Sequence, residues 1–490
     1  MQSLNFVGMY VRMPKQILFR KIASNPRAPP ELLISISNLE DKGLWRLLAQ
    51  NPKTPPEVLD KLANSGDEGI RIYVASHPNC PPDKLRELSR DPSPHVRRAV
   101  LENPNVPADV LNELSRDPQA EVRAKLAELR YPEILSILSL DQSKEVRKVV
   151  ASNPKTPVDA LIHLSRDPSP EVRASLASNP AATQLLEYLA EDSEEIVRAS
   201  VASNRMISDD IQRKLANNGS IYVLEALARN PAVKKEVLEK LANHESEWVR
   251  RAVASNTSAP KDLLEKLSRD KSPNVRAAVA SNPSSPPEIL MKLAEEFPKA
   301  VASNQNAPEA ILRRLAAEGS DDIKLAVAEN RKCPKDLLLS LVRSDNLEIR
   351  NAAAKNPNAT SEVLDELAKS ANVYLRILAA SDPRTSFETL RKLAADDNEE
   401  VRDALLFNPK LNMELIAKLS ERPTPLMKLR LALDPNTSPK ILEKLAEERD
   451  EEIRLAVALN ASTPIEVLAK LSNDQNELVR KLALSRALFR

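Results

Sequence analysis

Glycine fills only 6 of the 490 positions and histidine only 4. A chain this poor in glycine has few places for left-handed turns or for backbone to close around a phosphate, so a strand-linked phosphate cradle is not expected. His77, His95, His163 and His244 are scattered, with no metal-ligand spacing to one another or to a cysteine. The two cysteines, Cys80 and Cys333, exclude a disulfide framework and a cysteine-rich metal site. Both fall just before a helix-opening proline, where a small residue suffices. Aromatic residues make up 3% of the chain, so any interior must be filled by small aliphatic side chains. Charge of one sign is missing too: 71 Lys and Arg face 70 Asp and Glu, a formal net charge of +1. That balance excludes a global field drawing in nucleic acid or a membrane surface, although the first fifty residues carry a local basic excess. No apolar run approaches membrane-spanning length, and the opening "MQSLNFVGMYVRMPKQILF" lacks a basic region followed by a continuous apolar one. A cytoplasmic location is the expectation. Serine and aspartate abound, but at helix-capping positions, so no catalytic constellation emerges. The chain reads as a non-enzyme with no cofactor, no metal and no membrane partner.

What the chain does have is proline, at 38 positions, and repetition. "EVRKVVASNP" at 145, "EVRASLASNP" at 171 and "NVRAAVASNP" at 274 are versions of one phrase. Its asparagine recurs from Asn25 to Asn460 at a prevailing spacing of 26 residues, with His77, Leu129, Asp382 and Asp434 in the slots that lack it. Eighteen slots result, and a half-repeat, "LVRKLALSRALFR", follows. Each unit reads as two short helices. In residues 153–179, Thr156 is placed to cap the first helix, with Pro157 at its first position and Asp159 at its third. Thr54-Pro55-Pro56-Glu57 and Ser285-Pro286-Pro287-Glu288 have the form of capping boxes. Ser169-Pro170 opens the second helix, which stops at the next Asn-Pro because proline disfavours helical dihedrals in the residue before it. Helices of about nine or ten residues are not stable alone in water, so the units must stack.

The pattern "DPxxxVRxxVAxNPxTPxxxLxxLA", seen here as "DPSPEVRASLASNP" and "NPKTPVDALIHLS", resembles the leucine-rich repeat variant family. The stretch "LRYPEIL" (129–135) is similar to that family's arginine-tyrosine-proline form. The resemblance covers essentially the whole chain. It implies an all-α, right-handed superhelical solenoid of about eighteen 26-residue two-helix repeats, α-helices alternating with shorter helices of α or 3₁₀ type. It also implies an interaction surface. Some members carry an iron–sulfur module on a cysteine cluster; no such cluster is present here, so that activity is not carried over. One continuous array over 1–490 is expected, with register breaks near 126–135 and 293–301 at which stacking should bend or slip, and with 479–490 as a C-terminal cap.

A basic residue recurs six positions before the asparagine slot, as at Arg97, Arg123, Arg147 and Arg173. It is either a row of hands for a polyanion or a strut. An aspartate six residues earlier, as Asp167 is to Arg173, favours the strut: an Asp–Arg ladder between stacked units. The asparagine column is read the same way, as side chains bonding turn backbone. Specificity must then lie where repeats differ. The residue after the arginine and the residue four further on share a helix face. Early repeats are basic there, at Arg20, Arg46, Arg98, Lys148 and Arg251; late repeats are apolar, at Ile377, Phe407, Leu429, Leu433, Leu455 and Leu459. The apolar stripe is either a contact surface, for a protein partner or a second copy, or ground covered by Leu484, Leu488 and Phe489 of the tail. The reading is a non-enzymatic scaffold that binds a protein partner along one face. The alternative is a HEAT-like nucleic-acid binder using the basic residues.

Overall fold

A computed structural model describes residues 20, 23–24, 30–39, 41–434, 436–476, 479–480 and 482–484, and every regular element among them is a helix. The chain forms two compact units, residues 1–259 and 260–490.

In the first unit, the helices that carry the recurring arginine lie directly against one another: Lys144–Ser152 on Pro170–Ala177, that on Glu195–Ser203, then Ile221–Arg229 and Glu247–Ser255. Val146, Val150 and Ala151 are fully buried, as are Val172, Leu176 and Ala177 one repeat on. The companion helix Val158–Leu164 adds Leu161 and Leu164, also fully buried. Each such Val or Leu contributes about 1.5–3 kcal/mol by leaving water. Alanine in the last turn lets neighbouring backbones approach closely. In the second unit, Asp321–Glu329 stacks on Leu347–Lys355, Val373–Ser381 on Glu399–Leu405, and Pro425–Leu433 on Glu451–Leu459.

The companion helices are α-helices, mostly of seven residues, with a 3₁₀ segment at Pro180–Leu185. They differ from expectation in starting later than the capping reading placed them. Pro157, not Thr156, is the cap, and the helix begins at Val158. The Thr156 hydroxyl points backwards and donates to the carbonyl of Val150, 2.6 Å away. Thr54 and Ser285 do the same to Leu48 and Val279, so neither capping box forms. The bond gained instead gives the last turn of the preceding helix a second donor, beside the amides of Asn153, Asn51 and Asn282 that already reach these carbonyls. Ser169 does hold the cap position of the arginine helix, with Pro170 at its first position, but its hydroxyl donates to the Glu171 carboxylate and not to the helix backbone.

Asparagine rungs tie repeat to repeat. Asn179, 1% exposed, donates through Nδ2 to the carbonyls of Ala151 (2.7 Å) and Asn153 (2.9 Å) in the previous repeat, and its Oδ1 accepts from the Ala181 amide. The same bonds recur at Asn103, Asn230 and Asn256 in the first unit and at Asn330, Asn356, Asn408 and Asn460 in the second. At two of the slots that lack asparagine, another group does its work. His77 bonds through Nε2 to the Asn51 carbonyl at 2.8 Å, and its Nδ1 accepts from the Asn79 amide. Asp382 cannot donate, so Arg384 grips its carboxylate and donates to the carbonyls of Asn356 and Ala354.

Neither shortened repeat, where stacking was expected to bend or slip, interrupts these rungs. Asn153 reaches Ala127 and Leu129 across the first, and Asn304 reaches Ala280 and Asn282 across the second. At the chain end, Val479 and Ala483 continue the buried core while Leu484 is 44% exposed; Leu488 and Phe489 lie outside the described residues.

Candidate binding faces

The arginines are struts. Arg97 forks onto the carboxylate of Asp117 in the next repeat, Nε to Oδ2 at 2.6 Å and Nη2 to Oδ1 at 2.9 Å, with side-chain exposures of 11% and 2%. Its Nη1 donates to the backbone carbonyl of Asp91, six residues before it. Asp117 also accepts from the Gln119 amide, opening the next arginine helix. The rung repeats at Arg71–Asp91, Arg123–Asp141, Arg147–Asp167 and Arg173–Asp192 in the first unit, and at Arg376–Asp396 and Arg454–Asp474 in the second. The ladder therefore exists, but the partner differs from the expected one. Arg173 takes the carboxylate of Asp192 and only the main-chain oxygen of Asp167, whose carboxylate belongs to Arg147. A helical arginine six residues past the turn reaches that turn's carbonyl, while its fork lies over the next repeat. At the second shortened repeat, Glu296 stands in for the missing aspartate and pairs with Arg276.

Not every rung has an acid. Twenty residues after Arg350 stands Ser370, and the same count after Arg402 leads to Arg422. Among the described residues, the Nε atoms of both arginines are buried without a hydrogen-bond partner.

The outward face of the arginine helices is where sequence placed specificity. Phe407, Leu433 and Leu459 are 74%, 53% and 41% exposed, each in the slot that Ser152 and Ser178 fill in earlier repeats. Leu433 and Leu459 lie on directly stacked helices, and Arg430 ties the Leu433 helix to the carbonyl of Leu406 beside Phe407. The other three named positions are less open. Leu429 and Leu455 pack against the core, and Ile377 is half-buried.

On the basic side, Arg20, Arg46, Arg98, Lys148 and Arg251 are all exposed. Arg46 is drawn to Asp67 at 3.3 Å, and Arg251 lies over the Trp248 ring, 5.8 Å from its centre. Carboxylates are interleaved with them: Lys125 reaches both Glu102 and Glu128, and Lys144 holds Glu171.

Burial pushes the thiols of Cys80 and Cys333 up to about 12, so neither supplies a thiolate near neutral pH. Among the described residues, no group of three or more His, Cys, Asp or Glu side chains is arranged to hold a metal ion. No helix among them is long and apolar enough to cross a membrane.

A third surface escaped the sequence reading. In the first unit, open recesses run beside the arginine ladder, and Ile137, Leu140, Ile162 and Tyr188 project there with exposures of 48%, 67%, 42% and 55%. The available signal was Leu140, just before Asp141, where neighbouring repeats hold Arg116 before Asp117 and Arg166 before Asp167.

Stacked helix pairs bound by asparagine and arginine rungs define a helical-repeat protein. Family models narrow the class. The leucine rich repeat variant domain matches residues 18–74 and 224–282, and the leucine rich repeat variant matches 68–93 and 94–119. Residues 18–119 and 224–282 thus carry leucine-rich repeat variant units within the helical-repeat array. Among solved structures, a leucine-rich repeat variant with a repetitive structural motif shares 23% identity, over 44% of this chain and 87% of that one, with a TM-score of 0.33. Importin beta aligns over 96% of this chain and 83% of its own at 12% identity, with a TM-score of 0.36. No curated protein gives a significant match.

Proposed function

We propose that the chain is a non-enzymatic scaffold that binds a protein partner along the outward face of its arginine helices, with Phe407, Leu433 and Leu459 as the contact row. One observation carries the reading: three large apolar side chains stand open in the same slot of successive repeats. Apolar surface shared between neighbours in this way is costly to leave in water and marks an interaction site. The ladders supply the rest of the argument. Nearly every other recurring polar residue is spent on holding repeats together, which leaves the variable slots to carry recognition.

The test is the double substitution Leu433→Asp/Leu459→Asp. Association, read by sedimentation for self-association and by affinity capture with cross-linking for a partner, should be lost while the melting temperature holds. Early melting of this variant, with no association of the wild-type chain, would mean that the row is structural. Protein binding should also change little with salt, whereas a duplex held by the basic residues would lose affinity steeply as salt rises.

A further inference from the structure

We infer that the groove beside the arginine ladder in the first unit is a second binding site, for an extended acidic segment of another protein with an apolar residue midway between two carboxylates. The inference is independent of the contact row in the second unit.

Three recesses make up the groove. The first, about 810 Å³, is bordered by Arg116 and Ile137; the second, about 690 Å³, by Leu140, Ile162 and Arg166; the third, about 510 Å³, by Arg166 and Tyr188. Leu140 lies in the turn just past the helix Pro132–Leu138, its amide donating to the Ile137 carbonyl, and Arg166 borders the second and third recesses, so the three follow one another along the ladder. Its floor is the ladder itself, and the floor charges cancel: Arg97 with Asp117, Arg147 with Asp167, Arg173 with Asp192. On the walls, Arg90 and Glu113 also neutralise each other. Asp159 lies in the first turn of its helix, where free amides favour its charge. Glu191 pairs with Lys214, so among the described residues the single wall carboxylate of Asp159 stands against two wall cations without an ion pair, Arg116 and Arg166. Both are exposed, and neither guanidinium holds a carboxylate among the described residues.

These two cations stand in the same slot of the repeats on either side of Leu140, giving the order cation, apolar, cation at one position per repeat. Packed helices lie about 8–10 Å apart. A polyproline II segment advances 3.1 Å per residue with three residues per turn, or about 9 Å between side chains on one edge. A segment reading acid-x-x-apolar-x-x-acid therefore meets the groove in register. Its carboxylates take the planar forks of Arg116 and Arg166, and its central side chain covers Leu140 between Ile137 and Ile162. A further apolar residue or proline three positions on meets the Tyr188 ring, since aromatic walls suit polyproline II ligands.

The experiment uses fluorescein-labelled synthetic peptides of about twelve residues, long enough for the span. Their proline-rich backbone carries glutamate, leucine and glutamate at intervals of three. Fluorescence anisotropy should show binding to the full chain with a Kd below about 100 µM. Arg116→Glu/Arg166→Glu should weaken it at least tenfold, and Leu140→Ser should weaken it severalfold, each without moving the melting curve because all three side chains are exposed. Peptides with the acids spaced at two or four residues should bind more weakly, and Leu433→Asp/Leu459→Asp should leave binding unchanged. No binding up to about 1 mM, equal binding of the respaced peptides, or undiminished binding by the charge-reversed protein would overturn the inference. Displacement of the peptide by a DNA duplex at equal charge concentration would assign the arginines to phosphate, and would overturn it as well.

Discussion

Replacing Arg173 by alanine should destabilise the fold by about 3 kcal/mol, and should do so whether or not any partner is present. The magnitude follows from what the substitution strands. Arg173 makes two charge-assisted bonds to Asp192, of 2.6 and 2.9 Å, and a third to the Asp167 carbonyl at 2.6 Å. The pair is 13% and 7% exposed, so little water is available to replace the lost donor. Stranding a buried carboxylate costs about 3–5 kcal/mol. The Glu194 amide still serves Asp192, which places the cost at the lower end. Asp192→Ala should cost a similar amount, and the double variant clearly less than the sum, with a coupling of about 2 kcal/mol. Urea denaturation supplies the cycle, and hydrogen exchange in residues 170–177 and 195–203 localises it. Acid provides a further check. Burial raises the Asp192 carboxyl, but the Arg173 fork, the Glu194 amide and the charges of Arg173 and Arg198 outweigh it, and the group ends below its usual 3.8. A depressed carboxylate stabilises the fold above its unfolded pKa and loses that contribution as pH falls through the folded one. The gap between wild type and Asp192→Ala should therefore narrow below about pH 3.8. Unchanged denaturation midpoints, together with lost association, would return the arginine to the role of a hand.

Two further outcomes follow from departures in the ladders. Burial pushes the His77 imidazole below its usual 6.5, against the bond to the Asn51 carbonyl, so its neutral form stabilises the fold above about pH 6.5 and that support fades as pH falls. His77→Asn should flatten the melting temperature between about pH 5 and 7, and an unaltered pH profile would rule this out. Arg422→Asp should raise stability by about 1 kcal/mol by giving the buried Nε of Arg402 a carboxylate, at the loss of an exposed pair with Asp397. A lower melting temperature would show that the Arg402 fork does not face that slot.

The repeat period, the helix pairs and both ladders were legible because each rests on a residue type recurring at one spacing. What was not legible depends on direction. Thr156 sits where a cap belongs, yet its hydroxyl turns back to Val150, and sequence alone does not show which of two nearby backbone groups a short side chain meets. Arg173 lies equally near in sequence to Asp167 and, through stacking, to Asp192; only the fold tells which carboxylate falls under the fork. The outward face was half legible. Phe407, Leu433 and Leu459 stand open, but Leu429 and Leu455, four residues earlier on the same helices, are drawn toward the core. The groove over Leu140 was missed because its residues come from the ends of companion helices in successive repeats and share no helical period.

The substitutions within the asparagine column separate framework from recognition. At His77 and at Asp382 with Arg384, the residue type changes, yet the same carbonyls of the previous repeat remain bonded. A position where chemistry is replaced like for like is held by the needs of folding, because an orphaned buried carbonyl is costly whatever the protein does. At Phe407, Leu433 and Leu459, the serine of other repeats gives way to a large apolar side chain that satisfies no internal group and lies open to water. Leu140, between Arg116 and Arg166, departs in the same manner. Changes that leave the interior indifferent and cost solvation at the surface are not explained by the fold, and the partner proposed above is the reading they support.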